Sequence, residues 1–455
     1  MKIAPADDGG SPDEHLLEDG VPTLRDFYEL LEESQWWPQE KMVAWQRQQL
    51  NFLLNHARAS TPFYKFRLNA VFRSDGTIDW DRWHKIPIVK RADVLDHYDS
   101  ILSRTPRPEH GALHEYQSSG STGHPVKGLT TQWLIDTSAA CKWRSYQWAG
   151  VDWSQTLLAT YQESPGRAIG EIVGPWGPPW LESAQRGRQI YSPYHTLFPD
   201  RLRLIEKFGA RYHATTAASA ERLAEFSRAE GTLVRLEKIL VRGGAVTDLL
   251  RADLRDTFGA DVVEFYSSKE CGAIAERCSL GHFHINAETV LLEVLDAQGL
   301  PVAPGEAGRA VITPFASTAF PLIRYDQGDI VVAGHPCACG RGLPVIESIS
   351  GRETHFFRRP DGRKIDRELT QECRELIGAG QLQVAQVGRA EFEVRYVRRD
   401  WGVARDEAKF TQRFREIFFP EASVTLVEMD DIPLTAAGKF LTSVVEWRDD
   451  MSEQA

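Results

Sequence analysis

The stretch of residues 239–266 limits the fold more than any other part of the chain. Apolar runs at 239–241 and 262–266 each predict a β-strand. Between them, apolar side chains recur every four residues, which predicts a helix that starts after the N-cap Thr247 and ends at Gly259. A strand, a helix and a strand of these lengths form a right-handed crossover between parallel strands. We therefore expect an α/β fold with a sheet rich in parallel strands.

The same unit predicts where a ligand binds. Gly243, Gly244 and Ala245 directly follow the first strand, and Tyr266 and Ser267 lie at the end of the second. Parallel neighbours place their carboxyl ends at one edge of the sheet, and open α/β sheets bind ligands at that edge. The glycine pair and the segment after Tyr266 are therefore predicted to lie at a ligand-binding edge.

A serine-rich segment is predicted to bind phosphate. It combines hydroxyl-bearing residues with glycines, namely Ser118, Ser119, Gly120, Ser121, Thr122 and Gly123. Glycine lets the backbone approach an anion closely, and hydroxyl and N–H groups donate hydrogen bonds to phosphate oxygens. The spacing is not that of a Walker A loop, because Pro125 replaces the second glycine and Gly128 follows Lys127. A flexible linker is the alternative, but it leaves Pro125 and Lys127 without a role.

Length and charge narrow the classes of function. A chain of 455 residues predicts two or three domains. The formal net charge is −11, and residues 1–40 contribute eleven acidic and two basic residues to it. Because the rest of the chain is nearly balanced, we expect no nucleic-acid partner. The sequence shows no signal-peptide pattern and no run of eighteen apolar residues, so we expect no membrane partner and a cytoplasmic location.

Changes of pattern along the chain predict its division into segments. Residues 1–34 form an acidic leader that we expect to be disordered. Residues 35–351 are predicted to form a large α/β domain, and residues 352–455 a small, mobile α+β lid domain. In the large domain we expect helices at 39–59 and 133–148 and a loop at 166–179, which is rich in Gly and Pro. In the small domain we expect strands at 383–387, 391–397 and 423–428 and a helix at 406–419.

The cysteines predict a metal site rather than disulfides, because six cysteines in a chain of this length do not make a disulfide framework. The predicted ligands of a tetrahedral zinc ion are Cys278, His284, Cys337 and Cys339, with His282 as the alternative imidazole. Four protein ligands leave no open position, so the zinc is expected to be structural. The alternative is two reduced cysteine pairs that do not meet.

Three further segments follow the serine-rich loop in a characteristic order. They are residues 321–330, which contain Arg-Tyr and Gly-Asp, the pair Gly351-Arg352, and residues 434–439, which end in Gly-Lys. Together with the loop they resemble the adenylate-forming superfamily, which comprises acyl-CoA synthetases, adenylation domains and luciferases. Its phenylacetate–CoA ligase-like branch, which includes capsular-polysaccharide relatives, is the most similar, as judged from residues 55–64, 86–90 and 337–341.

The resemblance implies a nucleotide site built from these motifs. The 118–123 loop and Lys127 then hold the β- and γ-phosphates of ATP. Tyr266 stacks on adenine, whose other face packs on residues 243–245. Asp329 accepts hydrogen bonds from the ribose hydroxyls, a role that suits a carboxylate, and Arg352 also reaches the ribose. A core tyrosine at 266 and a turn aspartate at 329 are the alternatives.

The resemblance also implies which residues take part in catalysis. Glu270 binds Mg²⁺, and Lys127 assists at the phosphates. Lys439 is a mobile cation that the small domain carries to the forming adenylate. Glu353 and Thr354 stand at the hinge, where relatives frequently carry Asp or Lys, so the hinge behaviour stays open.

Candidates for the acyl pocket lie between residues 161 and 220, namely Tyr161, Trp176, Tyr194 and His195. Core packing is an equally good explanation of their aromatic character.

The predicted function is ATP-dependent activation of a carboxylic acid, expected to be an aryl acid, to an acyl-AMP with release of pyrophosphate. The acyl group then passes to coenzyme A. The alternatives are transfer to an amine, as in an amide synthetase, and a non-catalytic, zinc-stabilised nucleotide-binding module, against which Lys439 argues. No pattern indicates an oligomeric state.

Overall fold

The computed structural model describes residues 21–117, 126–161, 164, 166–244, 246–352, 357–365, 369, 371–398, 404–432 and 442–447. The chain divides into two compact units, Met1–Ser350 and Gly351–Ala455. Within the ranges just given, no helix is both long enough and apolar enough to cross a membrane.

The helices described in the first unit are α1 (Leu24–Ser34), α2 (Gln39–Ser60), α3 (Tyr64–Arg67), α4 (Arg91–Asp96), α5 (Tyr98–Ile101), α6 (Gln132–Trp148), α7 (Phe198–Phe208), α8 (Ala217–Ala229) and α9 (Asp248–Phe258). Short 3₁₀ helices lie at Trp80–Lys85, Pro108–His110 and Ser183–Gln185.

The strands that begin in this unit are β1 (Leu113–Gln117), β2 (Lys127–Thr131), β3 (Leu157–Tyr161), β4 (Ile172–Pro175), β5 (Arg188–Pro193), β6 (Tyr212–Thr215), β7 (Lys238–Arg242), β8 (Asp261–Ser268), β9 (Gly272–Arg277), β10 (Phe283–Ile285), β11 (Val290–Leu295), β12 (Ala307–Pro314), β13 (Tyr325–Ala333) and β14 (Val345–Arg352).

Twelve of these strands form one mixed sheet. Its order is β11-β12-β13-β14-β10-β9-β8-β7-β6-β3-β5-β4. The neighbours from β5 through β3, β6 and β7 to β8 run parallel, whereas β9 pairs antiparallel with β8 and β4 pairs antiparallel with β5. The remaining strands, β1 and β2, form a separate antiparallel hairpin. The predicted α/β class is therefore confirmed.

The two faces of the parallel section bury different side chains, because successive residues of a strand point to opposite faces. On β7, Ile239 and Val241 pack in an apolar cluster with residues of α7, α8 and α9. Leu240, between them, packs on the other face with Tyr146 of α6. Helices thus cover both faces, as is usual for parallel strands.

The predicted strand–helix–strand unit is confirmed. Strands β7 and β8 run parallel, with Leu240 opposite Val263. The Thr247 side chain accepts a hydrogen bond from the Leu250 N–H at 3.1 Å and so caps α9. Gly259 ends the helix in the left-handed conformation, with φ of 75°. Helices α2 and α6 confirm the other two helix predictions.

Two sequence predictions for this unit are wrong. Residues 24–34 of the expected disordered leader form helix α1, whose Phe27 and Leu31 are buried against α6. The helical spacing of these apolar residues outweighs the acidic composition of the segment. Residues 1–20 lie outside the described part.

The expected loop at 166–179 contains strand β4. This strand lies at the edge of the sheet, where a sheet accommodates Pro and Gly.

The second unit has an α+β arrangement. Its described elements are β15 (Phe357–Arg358), β16 (Lys364–Ile365), α10 (Gln371–Ile377), β17 (Ala379–Gln386), β18 (Glu391–Arg398), α11 (Glu407–Ile417), β19 (Ser423–Met429) and β20 (Ser443–Val445). Four strands form a sheet in the order β19-β18-β17-β20, in which β18 is parallel to β19 and antiparallel to β17. Three strands and a helix match the predicted positions, whereas α10 was not predicted.

Candidate active site

The carboxyl edge of the parallel section requires glycine directly after β7. Gly243 and Gly244 have φ angles of 75° and 88°, which L-residues with a side chain rarely adopt. At Gly244 a Cβ atom would also lie 3.2 Å from the Cβ of Ala217, at the start of α8. The backbone is therefore bare at the strand end where the sequence predicts a ligand.

A hydrogen bond joins two predicted site residues that lie on different strands, β8 and β13. The Tyr266 hydroxyl donates to Asp329 Oδ2 at 2.5 Å, and both residues are more than nine-tenths buried. β13, which carries Asp329, is four strand spacings from β8 in the sheet order. In a flat sheet that separation would be about 19 Å. The sheet therefore curls back on itself and brings the two side chains together.

Glu270 lies in the tight turn between β8 and β9, since Ser268 pairs with Gly272. Its side chain is buried, with a relative exposure of 5%. Burial raises the pKa of Tyr116, on β1, well above its usual value, and the charge of Glu270 raises it further. Cys271, the next residue of the turn, belongs to the same buried apolar cluster as Val126, which precedes β2.

The β1–β2 hairpin brings both ends of the serine-rich segment to the same place. Gln117 is paired with Lys127, and Tyr116 with Gly128. A side chain at position 128 would displace the Tyr116 ring. Gln117 and Lys127, which flank the residues outside the described part, therefore lie opposite each other.

Several predicted site residues lie outside the described part of the chain. They are Ser118, Ser119, Gly120, Ser121, Thr122, Gly123, Ala245 and Lys439. Among the others, Lys127 and Ser267 are exposed, and Arg352 is the last residue of β14.

The aromatic candidates for the acyl pocket separate into two groups. Tyr161 ends β3 and Tyr194 follows β5; the Tyr194 N–H donates to the Tyr161 carbonyl at 3.0 Å, so both lie at the carboxyl edge. His195 follows them and is exposed. Trp176 lies elsewhere: its ring packs on Tyr212 at the start of β6, with centroids 5.7 Å apart. It is a core residue near the amino ends of the strands, away from the other candidates.

The sequence is similar to those of two known ligases. The chain is 27% identical to the phenylacetate–coenzyme A ligase of Thermus thermophilus over 325 residues, 69% of this chain and 71% of that protein. It is 25% identical to the phenylacetate–coenzyme A ligase of Escherichia coli over 326 residues, 69% and 71% of the two chains. No family model matches.

The same architecture occurs in a solved structure. It is that of 2-hydroxyisobutyryl-CoA ligase in the postadenylation state with R3-HIB-AMP, which superposes with a TM-score of 0.71 at 18% identity over 93% of this chain and 92% of that one. The chain is similar to the phenylacetate–coenzyme A ligases. It is thus an enzyme with the adenylate-forming ligase fold.

The enzyme also brings together the four residues predicted to bind zinc. The ligand atoms of Cys278, His284, Cys337 and Cys339 all lie within 4.8 Å of one another. The sulfur atoms of Cys278 and Cys337 are 3.8 Å apart, and the Cys339 sulfur is 3.3 Å from His284 Nε2. His282 Nδ1 lies 3.3 Å from the Cys337 sulfur, so both imidazoles border the cluster.

The electrostatics of the cluster suit a metal ligand set. Burial lowers the pKa of His284 to about 4, which keeps the imidazole neutral and able to coordinate. Burial alone would raise the pKa of Cys339, but hydrogen bonds and the charge of Arg341 outweigh it and lower that pKa. Burial raises the pKa of Cys337 to about 11. A thiol of this kind needs a metal ion to become a thiolate at neutral pH.

The cluster is tied to the N-terminal helices of the enzyme. Gln35 Oε1 accepts hydrogen bonds from Arg341 Nε at 3.0 Å and from Trp148 Nε1 at 2.8 Å. The Gly342 N–H donates to the Gln35 carbonyl at 2.8 Å. The turn after Cys339 is therefore held against the connection between α1 and α2, which is consistent with a structural role.

Arg324, in the motif of residues 321–330, has a structural function that the sequence did not indicate. It is fully buried, with φ of 53°, and donates to both carboxylate oxygens of Glu293 at 3.0 and 3.1 Å. It also donates to the carbonyls of His84 and Ile86. These bonds fix the start of β13, the strand that carries Asp329.

Proposed function

We propose that the enzyme activates an aromatic carboxylic acid with ATP and Mg²⁺ to an acyl-AMP and then transfers the acyl group to coenzyme A. In the first step a carboxylate oxygen attacks the α-phosphorus, and the bond to pyrophosphate breaks. In the second step the coenzyme A thiolate attacks the acyl carbon, and AMP leaves. The observation that carries the proposal is the hydrogen bond between Tyr266 and Asp329 at the ligand-binding edge.

This hydrogen bond supports a nucleotide site for a geometric reason. The Tyr266 hydroxyl fixes the Asp329 carboxylate, which is then oriented to accept from vicinal hydroxyls, as a ribose provides. Arg242 is paired with Phe265, so the backbone of Tyr266 lies next to that of Gly243. A flat base fits between a ring and glycine backbone, so we assign adenine to this position.

Glu270 and Lys127 are proposed to act at the phosphates. Glu270 is a buried carboxylate in a turn, which fits a Mg²⁺ ligand, and such an ion would neutralise charge on the phosphates. Lys127 begins the second strand of the hairpin, and residues 118–123 are assigned to the phosphates on the family resemblance. Arg352 and Lys439 are assigned to the ribose and the forming adenylate on the family resemblance alone.

The function is tested by measuring pyrophosphate release with ATP, Mg²⁺ and a panel of acids that includes phenylacetate, benzoate, anthranilate and 2-hydroxyisobutyrate. We expect release with aromatic acids, and an acyl-CoA product when coenzyme A is added. Amines offered in place of coenzyme A distinguish a ligase from an amide synthetase. Release with no carboxylic acid would contradict the proposed function.

The nucleotide assignment is tested with Asp329→Asn and Tyr266→Phe. We expect Asp329→Asn to lower kcat/KM for ATP by about 10- to 100-fold, since hydrogen bonds to a charged group contribute about 1.5–3 kcal/mol. Tyr266→Phe keeps the ring and should cost less. Asp326→Asn, on the same strand but paired with Arg309, is the control. If Asp329→Asn and Asp326→Asn have the same kcat/KM for ATP, the assignment of Asp329 to the ribose is wrong.

We further propose that Cys278, His284, Cys337 and Cys339 bind a structural zinc ion. Zinc–sulfur bonds of about 2.3 Å at tetrahedral angles place two sulfurs about 3.8 Å apart, and Cys278 and Cys337 show that separation. His284 is chosen over His282 because it is the imidazole within reach of the other three ligand atoms.

The zinc proposal predicts about one zinc ion per chain by mass spectrometry of the purified enzyme. Cys337→Ser should lose the metal and lower the melting temperature by about 5–10 °C, because a loss of about 3 kcal/mol shifts a domain of this size by a few degrees per kcal/mol. Cys373→Ser, in the second unit, is the control and should retain zinc. Enzyme that folds fully without any bound metal would refute the assignment.

A further inference from the structure

The carboxylate of Glu264 joins three parts of the large unit. Glu264 is a buried residue of β8 and lies between Val263 and Phe265, whose side chains pack on the face covered by α6. Because side chains alternate along a strand, Glu264 points to the opposite face, on which α9 packs. A buried carboxylate is stable only when hydrogen bonds or opposite charges compensate it. Its partners therefore show what the side chain holds in place.

The first partner of Glu264 is the backbone at the carboxyl edge of the sheet. The Val246 N–H donates to Glu264 Oε1 at 3.4 Å. Val246 follows Gly243 and Gly244, and we call these three residues the glycine turn. The Gly243 carbonyl accepts from the N–H of Ala217, the first residue of α8, at 3.3 Å. The glycine turn, which carries the proposed adenine site, is thus anchored at one end to α8 and at the other to the Glu264 side chain.

The other two partners of Glu264 are arginines. Arg251 of α9 donates from Nη2 to Glu264 Oε2 at 2.9 Å and from Nη1 to the Val262 carbonyl at 3.1 Å. Arg277, at the end of β9, donates from Nη1 to the same Oε2 at 3.0 Å. The two arginine side chains are 20% and 23% exposed, so water and salt screen these ion pairs less than surface pairs. Together they hold the Glu264 carboxylate in one orientation.

Arg277 extends this set of contacts to the proposed zinc site. Its Nε donates to the Gly281 carbonyl at 2.8 Å. Gly281 belongs to residues 278–282, which we call the metal turn, and its N–H donates to the Cys278 carbonyl at 2.9 Å. Cys278 is a proposed zinc ligand and directly follows Arg277 in the chain. One guanidinium group therefore contacts the metal turn through Nε and the Glu264 carboxylate through Nη1.

The contacts thus form a continuous series of hydrogen bonds from the metal turn to the glycine turn. A bound zinc ion fixes Cys278 and, through the short turn, the Gly281 carbonyl that accepts from Arg277. Without the ion this acceptor is less restrained, so Arg277 holds Glu264 less firmly. The anchor of the Val246 N–H then loses its fixed orientation. Coupling between two sites requires such a contiguous set of groups that both sites influence.

We propose that Glu264 and Arg277 are positioning residues, which hold the glycine turn in the shape that binds ATP and make this shape depend on the occupied metal turn. Zinc then raises the affinity for ATP, and ATP raises the affinity for zinc by the same factor, because coupling between binding sites is reciprocal. The inference rests on the proposed function, since it uses the nucleotide and zinc sites assigned there. Neither residue contacts the reacting atoms.

The test measures zinc affinity by competition with the chromogenic chelator 4-(2-pyridylazo)resorcinol, with and without saturating ATP and with no carboxylic acid present. We expect ATP to raise the zinc affinity of the wild type by about 5- to 10-fold, which is within the usual range of coupling between sites. In Glu264→Gln, which retains the zinc ligands, the factor should fall below about 2-fold. Asp261→Asn is the matched control, because Asp261 begins the same strand and pairs with Arg255 in solvent. It should show the wild-type factor.

Calorimetric titration with ATP gives a second measurement, which needs neither turnover nor removal of the metal. In zinc-loaded Arg277→Met we expect Kd for ATP to rise by about 10-fold, as the loss of a charge-assisted hydrogen bond allows. Arg255→Met, which removes an exposed partner of Asp261, is the control and should keep the wild-type Kd. A lower melting temperature of Arg277→Met with an unchanged Kd would show a purely structural role and overturn the inference.

The possible outcomes separate this inference from the proposed function. If the wild type binds both ATP and zinc but ATP leaves the zinc affinity unchanged, the inference is wrong and the proposed function stands. Coupling that persists unchanged in Glu264→Gln and Arg277→Met also overturns it. Coupled binding of ATP and zinc without pyrophosphate release with any acid would support the inference and contradict the proposed function. An enzyme that binds no ATP contradicts both, and one that binds no zinc overturns the inference together with the zinc assignment.

Discussion

Replacing Lys439 with alanine is expected to lower the rate of adenylation by about 10²- to 10³-fold. This is the loss typical of removing one group that stabilises charge in a transition state. The lysine follows Gly438 in the segment that resembles the C-terminal loop of adenylate-forming enzymes. We propose that the small unit delivers this cation to the α-phosphate and then withdraws it.

Pyrophosphate exchange measures this effect on adenylation alone. The second half-reaction, started from chemically prepared acyl-AMP and coenzyme A, should change far less, because the lysine acts before the adenylate exists. Lys409→Ala is the control, since Lys409 lies on α11 of the same unit and pairs with Glu372 at 3.3 Å. An exchange rate in Lys439→Ala equal to that of the control would disprove the assignment.

Replacing Arg144 with methionine is expected to destabilise the large unit by about 3–5 kcal/mol, the usual cost of breaking a buried ion pair. Arg144 and Glu288 have fully buried side chains and form an ion pair at 2.6 Å. Arg144 also donates to Asn286 Oδ1 at 2.8 Å and to the Leu31 carbonyl at 3.0 Å. The substitution would leave the Glu288 charge buried without its partner and detach α1 from α6.

Urea denaturation followed by tryptophan fluorescence measures the loss. The double variant Arg144→Met, Glu288→Gln should recover part of the stability, because it removes the uncompensated carboxylate. Arg203→Met is the surface control: Arg203 pairs with Asp200 in solvent, where such a pair contributes about 0–1 kcal/mol. If the urea concentration at the midpoint of unfolding is as high for Arg144→Met as for Arg203→Met, the buried contacts of Arg144 do not stabilise the unit.

The local patterns of the sequence predicted the elements that lie close together along the chain. The four-residue spacing in α9, its cap Thr247 and its terminal Gly259 all act within one or two helical turns. The same reasoning predicted the carboxyl edge at Gly243 and Tyr266. It failed for helix α1, where acidic composition received more weight than the spacing of Phe27 and Leu31.

Residue types predicted the group of cysteines and histidines, but only the fold brought these residues together. Cys278 and Cys337 are 59 residues apart in the chain, and they meet because β10 pairs with both β9 and β14. The sequence could not show that Tyr161 lies at the carboxyl ends of the strands and Trp176 near their amino ends. The end at which an aromatic side chain lies depends on the path of the loops between the strands.

The sequence by itself therefore determined the α/β class, the parallel crossover and the residue types of the site, because these depend on backbone preferences and side-chain periodicity over short distances. Only the tertiary structure decided that Tyr266 and Asp329, 63 positions apart, share a hydrogen bond. This result depends on how far a twelve-stranded sheet curls. The curl is the sum of many small twists that no short segment encodes.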